Sequence, residues 1–296
     1  MSALTIAIVG TGRIGSTFAY HLAKAGHDVT VVARQGSPRF AQLQRDGAIL
    51  LKTGESAAVS VTDQLDEQVP YDLVVVTTYD FQVDAVLPAL RHSKAKAIQF
   101  TFVTFDPERL RAAVGDERCS FGMPAVMARL DDEGRLSPTI SSRQKTLHGD
   151  RRWMELFIGA GIPSNFDPDM ALWLRCHVPL TTAMESVSVA AVRRGKAASW
   201  REAMVIARGM RAGYAIIRGS GDRVYPRSKR VIDSLPTFLI AFLLRLLSGI
   251  KSFRELLAQG AREARAHVDS MSAAGAKATP ALPAAVQAVC KMRPLD

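Results

Sequence analysis

The apolar positions in the first part of the chain fall in short runs that alternate with helical periodicities. Residues 5–9 form an apolar run that ends at Gly10, and β-branched residues in so short a run are typical of a buried parallel strand. Apolar residues then recur at helical spacing as far as Gly26, a residue that commonly ends a helix, and a second apolar run covers residues 28–32. The pattern predicts a strand, a glycine turn, a helix and a second strand, which together make one βαβ unit.

Runs of both kinds continue to alternate up to about residue 166. The pattern predicts further helices over residues 38–45, 80–90 and 151–159 and further strands over 48–52, 57–61, 71–78, 96–102, 119–127, 137–141 and 162–166. Strand and helix in alternation predict an α/β fold with a doubly wound parallel sheet.

After Pro168 the strand-like runs disappear. Helical periodicity alone covers residues 170–194, 200–218, 237–248, 252–270 and 282–290. We therefore predict an N-terminal Rossmann domain over residues 1–166 and an all-helical C-terminal domain, for substrate binding or dimerisation, over residues 167–296.

The stretch Leu235–Ile250 is apolar nearly all round. It is interrupted by Arg245 and is shorter than the roughly twenty residues that a membrane span needs. We expect no membrane span here, but a helix buried in the second domain or at a dimer contact.

The glycine turn predicts a dinucleotide site. Gly10 would permit the tight turn, Gly12 would let the backbone approach a pyrophosphate, and Gly15 would let the helix pack on the strand. The helix dipole would favour the phosphates; the alternative is a tight turn that binds nothing. The predicted site comprises the six residues of the turn, Gly10, Thr11, Gly12, Arg13, Ile14 and Gly15.

The end of the second strand favours NADP(H). An NAD site commonly places a carboxylate about twenty residues after the glycines, whereas this chain has Arg34. A guanidinium suits a 2′-phosphate, and Arg39 could form the other side of a clamp. Arg34 could instead be a solvated loop charge. Thr77, near the end of the strand over residues 71–78, is assigned to the same site.

Composition and charge narrow the class of protein and the kind of partner. Hydrophobic residues make up 48% of the chain and charged residues 22%, which is typical of a globular protein. The half from Arg151 onward has 22 Lys and Arg against 11 Asp and Glu and supplies all of the net charge of +10. That excess fits attraction of an anionic substrate or of the cofactor's phosphates. No nucleic-acid motif accompanies it, and we expect no nucleic-acid partner.

Three widely spaced cysteines show no metal-ligand spacing, so we expect no metal and a reducing cytoplasmic location. The chain enters its first strand without a basic segment or a cleavage-site pattern, which predicts no signal peptide.

Together these features resemble the ketopantoate reductase family of NADPH-dependent 2-dehydropantoate 2-reductases. The likeness is strongest over residues 6–34, recognisable over 73–82, and carried late in the chain by the segment Gly275–Pro280. It implies a Rossmann domain and a helical domain, with hydride transfer to a 2-keto acid or a related ketone or imine in the interdomain cleft.

This chain departs from the family pattern at the positions to which the resemblance assigns catalysis. Tyr79 stands where the family has a lysine after a central strand, and Phe102 and Val103 stand where it has an asparagine-glycine turn. Arg175 and Pro179 stand in place of the lysine and asparagine of the W-x-K-x-x-x-N pattern. An arginine is a poor proton donor at neutral pH, so the chain is interpreted as a divergent member lacking the catalytic lysine.

His177 is the first candidate to assist carbonyl reduction, because a histidine titrates near neutrality. Glu185 and Tyr79 are further candidate proton donors, and Arg175 could hold a substrate carboxylate or the alkoxide. His177 and Tyr79 could equally be structural. The sequence therefore leaves two functions open. The cofactor site and the two-domain plan favour an NADPH-dependent reductase, and the replaced lysine and asparagines favour a non-catalytic NADP-binding redox sensor or scaffold. A homodimer through the helical domain is also expected.

Overall fold

The computed structural model describes residues 2–295, and the chain divides into two compact units. One comprises residues 2–102 and 108–170, and the other comprises residues 103–107 and 171–295.

The N-terminal unit is an α/β unit built on an eight-stranded sheet. The strands of the described residues are β1 (Thr5–Val9), β2 (Asp28–Val32), β3 (Ala48–Leu50), β4 (Ser56–Ala58), β5 (Ser60–Thr62), β6 (Leu73–Val76), β7 (Ile98–Phe100), β8 (Cys119–Met123), β9 (Val126–Leu130), β10 (Leu136–Ile140), β11 (Thr146–His148) and β12 (Ser164–Phe166). The helices over the same part of the chain are α1 (Arg13–Lys24), α2 (Pro38–Asp46), α3 (Leu87–His92), α4 (Pro107–Val114) and α5 (Arg151–Gly159), with short 3-10 helices at Asp80–Ala85 and Asp116–Arg118.

The sheet confirms the predicted fold class. Its spatial order is β5-β2-β1-β6-β7-β8-β11-β12, and the six strands from β5 to β8 are parallel. The strand order reverses between β1 and β6, and such a switch point is where doubly wound sheets bind ligands. At one edge of the sheet β11 pairs antiparallel with β8 and parallel with β12. The hairpins β3–β4 and β9–β10 form separate two-stranded sheets.

The core of this unit follows from the apolar periodicity. Ile6 and Ile8 of β1 are fully buried, as are Phe18 and Leu22 on one face of α1. Phe18 meets Phe157 of α5 edge to face, with ring centroids 4.9 Å apart. The first strand and helix are therefore held by packing that is separate from the turn joining them.

Local breaks explain where the predicted elements differ. The helix expected over residues 80–90 is a 3-10 helix followed by the short α3, because Pro88 has no N–H to continue an α-helix. The strand expected over residues 57–61 is divided between β4 and β5 at Val59, whose N–H binds the carbonyl of Gly47. Neither β11 nor α4 was predicted.

The C-terminal unit is helical, as predicted. Its helices are α6 (Met170–Arg193), α7 (Trp200–Gly219), α8 (Arg227–Ser234), α9 (Thr237–Gly249), α10 (Lys251–Ala258), α11 (Ala261–Lys277) and α12 (Pro283–Lys291). The helix expected over residues 252–270 is two helices that meet at Gly260, and α8 was not predicted. Helix α6 continues through Pro179, whose ring packs close to the Cα of Gly213 on α7.

The apolar stretch Leu235–Ile250 is only partly buried. Helix α9 buries Ile240, Ala241 and Leu244 but leaves Phe238 60% exposed and Leu246 58% exposed. Of the two alternatives, burial in the core is therefore wrong for this face, and a dimer contact stays a prediction. Among the described residues no single helix is long and apolar enough to cross a membrane; α8 and α9 meet those criteria only as a pair bent by 109°.

Candidate functional site

The glycine turn between β1 and α1 is shaped by two close approaches. Gly10 has φ of +98°, a conformation that side chains disfavour. A Cβ on Gly15 would lie 1.9 Å from the carbonyl oxygen of Gly10, so the helix packs directly on the end of the strand. The turn and the packing are therefore as predicted for these two glycines.

Gly12 has different surroundings. It is the N-cap of α1, with φ of −70°, and a Cβ built on it meets no described atom within 4 Å. The first turn of α1 has no acidic residue, and Gly12 has no side chain to cap it. Backbone N–H groups and the positive end of the helix dipole favour an anion in such a place. The geometry fits a pyrophosphate.

Thr77 joins the turn to the neighbouring strand. It follows β6, and its hydroxyl donates to the carbonyl oxygen of Gly10 at 2.7 Å. The N–H of Thr77 also donates to the carbonyl of Val9 at 2.8 Å. Thr77 thus lies at the switch point between β1 and β6 and stabilises the turn.

Arg34 lies directly after β2 with an exposed side chain. The described residues form no ion pair with its guanidinium. Its position is that of the carboxylate in an NAD site. An exposed guanidinium here can donate hydrogen bonds to a phosphate. It has no acceptor atom and so cannot accept a hydrogen bond from a ribose hydroxyl, as a carboxylate would.

Arg39 lies on α2, and the structure gives its guanidinium several partners within the unit. Nε donates to the carbonyl of Thr11 at 3.2 Å, and Nη2 donates to the hydroxyl of Ser16 at 2.7 Å. Nη1 donates to the carbonyl of Gly134 at 2.7 Å and also contacts the side-chain oxygen of Gln42. Burial lowers the pKa of Arg39 to about 10. Its guanidinium is therefore used inside the protein, unlike that of Arg34.

His177 lies on α6 in a packed aromatic cluster. Its ring stacks on Trp173 with centroids 4.7 Å apart, and the Nζ of Lys229 lies 3.4 Å from the centroid of the Trp173 ring. Burial, followed by the positive charges of Lys229 and His267, lowers the pKa of His177 to about 3. The expectation that this histidine titrates near neutrality is wrong, because that expectation assumed a solvated imidazole. At neutral pH the ring is neutral.

Arg175 and Glu185 lie on the same helix in different surroundings. The Nε of Arg175 donates to the carbonyl of Phe105 at 3.0 Å, and its Nη1 pairs with Asp222. Glu185 is 6% exposed, and burial, with a contribution from Glu263, raises its pKa to about 9. Eight residues of helix separate His177 from Glu185, which is about 12 Å along the axis. The two side chains do not form one acid–base pair.

Tyr79 lies in the N-terminal unit at the start of the 3-10 helix. It is 42% exposed, and its ring stacks on Phe81 with centroids 5.3 Å apart. This placement is compatible with either of the roles considered for it, packing or contact with a ligand.

Sequence reasoning missed Lys229. It is 4% exposed, and its Nζ donates to the carbonyl of Trp173 at 2.7 Å. In the sequence it lies among Arg227 and Arg230, where a basic cluster on a short helix is usually solvated. No feature of the sequence separates it from these neighbours.

Residues 6–149 match the family model described as ketopantoate reductase PanE/ApbA. A 2-dehydropantoate 2-reductase from Vibrio cholerae is 35% identical over 97 residues, which are 32% of this chain and 30% of that protein. The N-terminal part of the chain is thus similar in sequence to ketopantoate reductases.

Solved structures extend the likeness over the whole chain, at the level of the fold. D-mandelate dehydrogenase in complex with NADH gives a TM-score of 0.72 at 12% identity, covering 98% of this chain and 97% of that one. The 2-dehydropantoate 2-reductase from Geobacter metallireducens gives 0.67 at 16% identity, covering 97% and 99%. Ketopantoate reductases and D-mandelate dehydrogenase thus share this fold. The sequence match to the Vibrio protein, in contrast, spans less than a third of that relative's length.

Proposed function

We propose that the protein is an NADPH-dependent reductase of a small carbonyl compound, such as a 2-keto acid. The observation that carries the proposal is the arrangement at the switch point of the sheet. There the open backbone at Gly12 begins a helix without acidic residues, and Arg34 replaces the usual carboxylate. The match of the N-terminal half to the ketopantoate reductase model, a family of oxidoreductases, supports the same proposal.

The N-terminal unit would hold the cofactor through two groups. The backbone N–H groups of the first turn of α1 would bind the pyrophosphate. Arg34 would bind the 2′-phosphate, and its flexible, exposed side chain allows it to do so. When bound, NADPH would supply the hydride. Hydride transfer leaves an alkoxide, which must take up a proton from a side chain or from water, and a hydrogen bond to the same oxygen would stabilise it.

The helical unit offers His177 for the carbonyl oxygen. Because its pKa is about 3, it would act as a neutral imidazole that donates a hydrogen bond, and not as an imidazolium. Glu185, with its pKa of about 9, is protonated at neutral pH and is a second candidate donor. Arg175 would contribute positive charge near a substrate carboxylate, and Tyr79 remains a candidate at the edge of the sheet.

The test has two stages. Binding of NADPH and NADH is first measured by titration of cofactor fluorescence. Oxidation of NADPH is then followed at 340 nm with a panel of 2-keto acids, imines and cyclic ketones. Turnover of at least one 2-keto acid supports the proposal; failure to bind either cofactor refutes it.

A non-catalytic NADP-binding sensor is the second candidate. The ion pair between Arg175 and Asp222 favours it, since the residue in place of the family lysine already has a partner. So does the low pKa of His177, which prevents that ring from supplying a proton as an imidazolium. Tight NADPH binding with no turnover over the whole panel would support the sensor.

We further propose that the substrate is anionic and that the protein is a cytoplasmic homodimer. The positive excess from Arg151 onward supports an anionic substrate. The free thiols of its cysteines are consistent with a reducing compartment. The exposed face of α9, with Phe238, Phe242 and Leu246, supports contact with a second copy. Sedimentation velocity of the protein and of Phe242→Asp tests the dimer; a monomeric unmutated protein refutes it.

A further inference from the structure

The geometry points to Arg39 as a positioning residue that fixes the glycine turn for both dinucleotides, and not as a clamp for the 2′-phosphate. The inference rests on the cofactor-binding part of the proposed function, in which Arg34 alone selects NADPH.

The first argument is the use of the guanidinium. All three of its nitrogens donate to protein oxygens, on Thr11, Ser16 and Gly134. Ser16 is fully buried, and its hydroxyl donates in turn to the carbonyl of Thr11 at 3.0 Å. A phosphate at this guanidinium would have to displace these bonds, so the planar fork is engaged in holding the protein.

The second argument is the geometry of the peptide bond. The carbonyl of Thr11 and the N–H of Gly12 belong to one planar trans peptide and point in opposite directions. Because Arg39 and Ser16 both donate to that carbonyl, they fix the plane of the peptide. The N–H of Gly12 is thereby held on the side away from Arg39, at the start of α1, where the pyrophosphate is proposed to bind.

The third argument is a link to a distant hairpin. Gly134 lies in the turn between β9 and β10, with φ of +76°. A Cβ there would lie 2.9 Å from Nη1 of Arg39 and 2.6 Å from the side-chain oxygen of Gln42. A substitution at Gly134 would therefore displace the guanidinium of Arg39. Through Arg39 it would affect the glycine turn, although Gly134 lies 119 positions after Gly15, the last residue of that turn.

The experiment compares dissociation constants for NADPH and NADH in the unmutated protein, Arg39→Ala, Arg39→Lys and Arg34→Ala. We expect Arg39→Ala to weaken both cofactors by about tenfold or more and by the same factor, since charge-assisted bonds that position the turn are lost. Arg39→Lys should restore little, because one ammonium cannot replace a fork that serves three oxygens. Arg34→Ala should weaken NADPH alone.

A second pair of variants covers the case in which Arg39→Ala fails to fold. Gly134→Ala should weaken both cofactors in parallel. The matched control is Gly115→Ala, which adds a Cβ at a similar positive φ of +94° but with no described atom within 4 Å. It should leave both affinities unchanged.

Hydrogen exchange of the cofactor-free protein gives a readout that needs no activity. Arg39→Ala should speed exchange of the amides of residues 12–16 and of the turn at Gly134, while the rest of the sheet keeps its protection. Uniformly faster exchange with unchanged affinities would mean a merely structural role and would overturn the inference.

The outcomes separate this inference from the proposed function. A loss confined to NADPH in Arg39→Ala, restored by Arg39→Lys, identifies a phosphate clamp and overturns the inference alone. Lack of binding by the unmutated protein overturns both. Absence of turnover with every substrate counts against the reductase alone. The inference still holds in that case if Arg39→Ala lowers the affinities for NADPH and NADH together.

Discussion

Replacement of Glu185 by glutamine should make the free energy of unfolding of the helical unit less dependent on pH. Glu185 is 6% exposed, and its pKa is raised from 4.5 to about 9 by burial. Between these values the folded protein holds a proton that the unfolded chain has lost. Stability from this group is therefore full below about pH 4.5 and is lost as the pH rises towards 9.

The size of the effect follows from the two pKa values. Each pH unit in this window lowers the free energy of unfolding by about 1.4 kcal/mol relative to a side chain that does not titrate. Between pH 5.5 and 7.5 the free energy of unfolding of Glu185→Gln should therefore rise by about 2.7 kcal/mol relative to that of the unmutated protein. In urea this corresponds to a shift in midpoint of about 1 M.

The assay is urea unfolding at pH 5.5, 6.5 and 7.5, followed by tryptophan fluorescence in a Trp153→Phe background. Trp173 and Trp200 then report on the helical unit alone. Glu255→Gln, which makes the same substitution at an exposed position of α10, is the control and should parallel the unmutated protein. Parallel curves for Glu185→Gln as well would refute the reasoning.

Three further predictions concern the cofactor and the reaction. Arg34→Ala should remove an NADPH preference of roughly ten- to a hundredfold, measured as the ratio of the two dissociation constants; equal affinities in the unmutated protein would contradict this. Gly12→Val should abolish cofactor binding and leave the thermal midpoint of unfolding unchanged, since a Cβ at Gly12 meets open space. Gly15→Ala should lower that midpoint, because a Cβ at Gly15 would lie 1.9 Å from a carbonyl oxygen. His177→Asn should lower kcat by about a hundredfold at unchanged NADPH affinity. Because the pKa of His177 is about 3, the pH–rate profile near neutrality should keep its shape, and a lost limb there would show that this ring does titrate.

The sequence alone determined the elements whose stability is local. The strand over residues 5–9, the helix after it and the strand over residues 28–32 all form as predicted, because apolar periodicity and a glycine turn act within about thirty residues. Long amphipathic helices such as α7 were equally predictable. The break at Gly260 was not predicted, and this glycine lies against a side chain from another helix. A Cβ there would lie 2.4 Å from a carboxylate oxygen of Glu185, which is 75 positions earlier.

Only the tertiary structure decided the chemistry of the candidate residues. Arg34 and Arg39 are the same residue type five positions apart, yet one is exposed and the other donates to Thr11, Ser16 and Gly134. His177 and Glu185 depart from their ordinary pKa values in opposite directions, towards about 3 and about 9. In both cases burial disfavours the charged form. Burial is produced by contacts between segments far apart in the chain, so the sequence could propose these residues as candidates while the packing around them determined their charge.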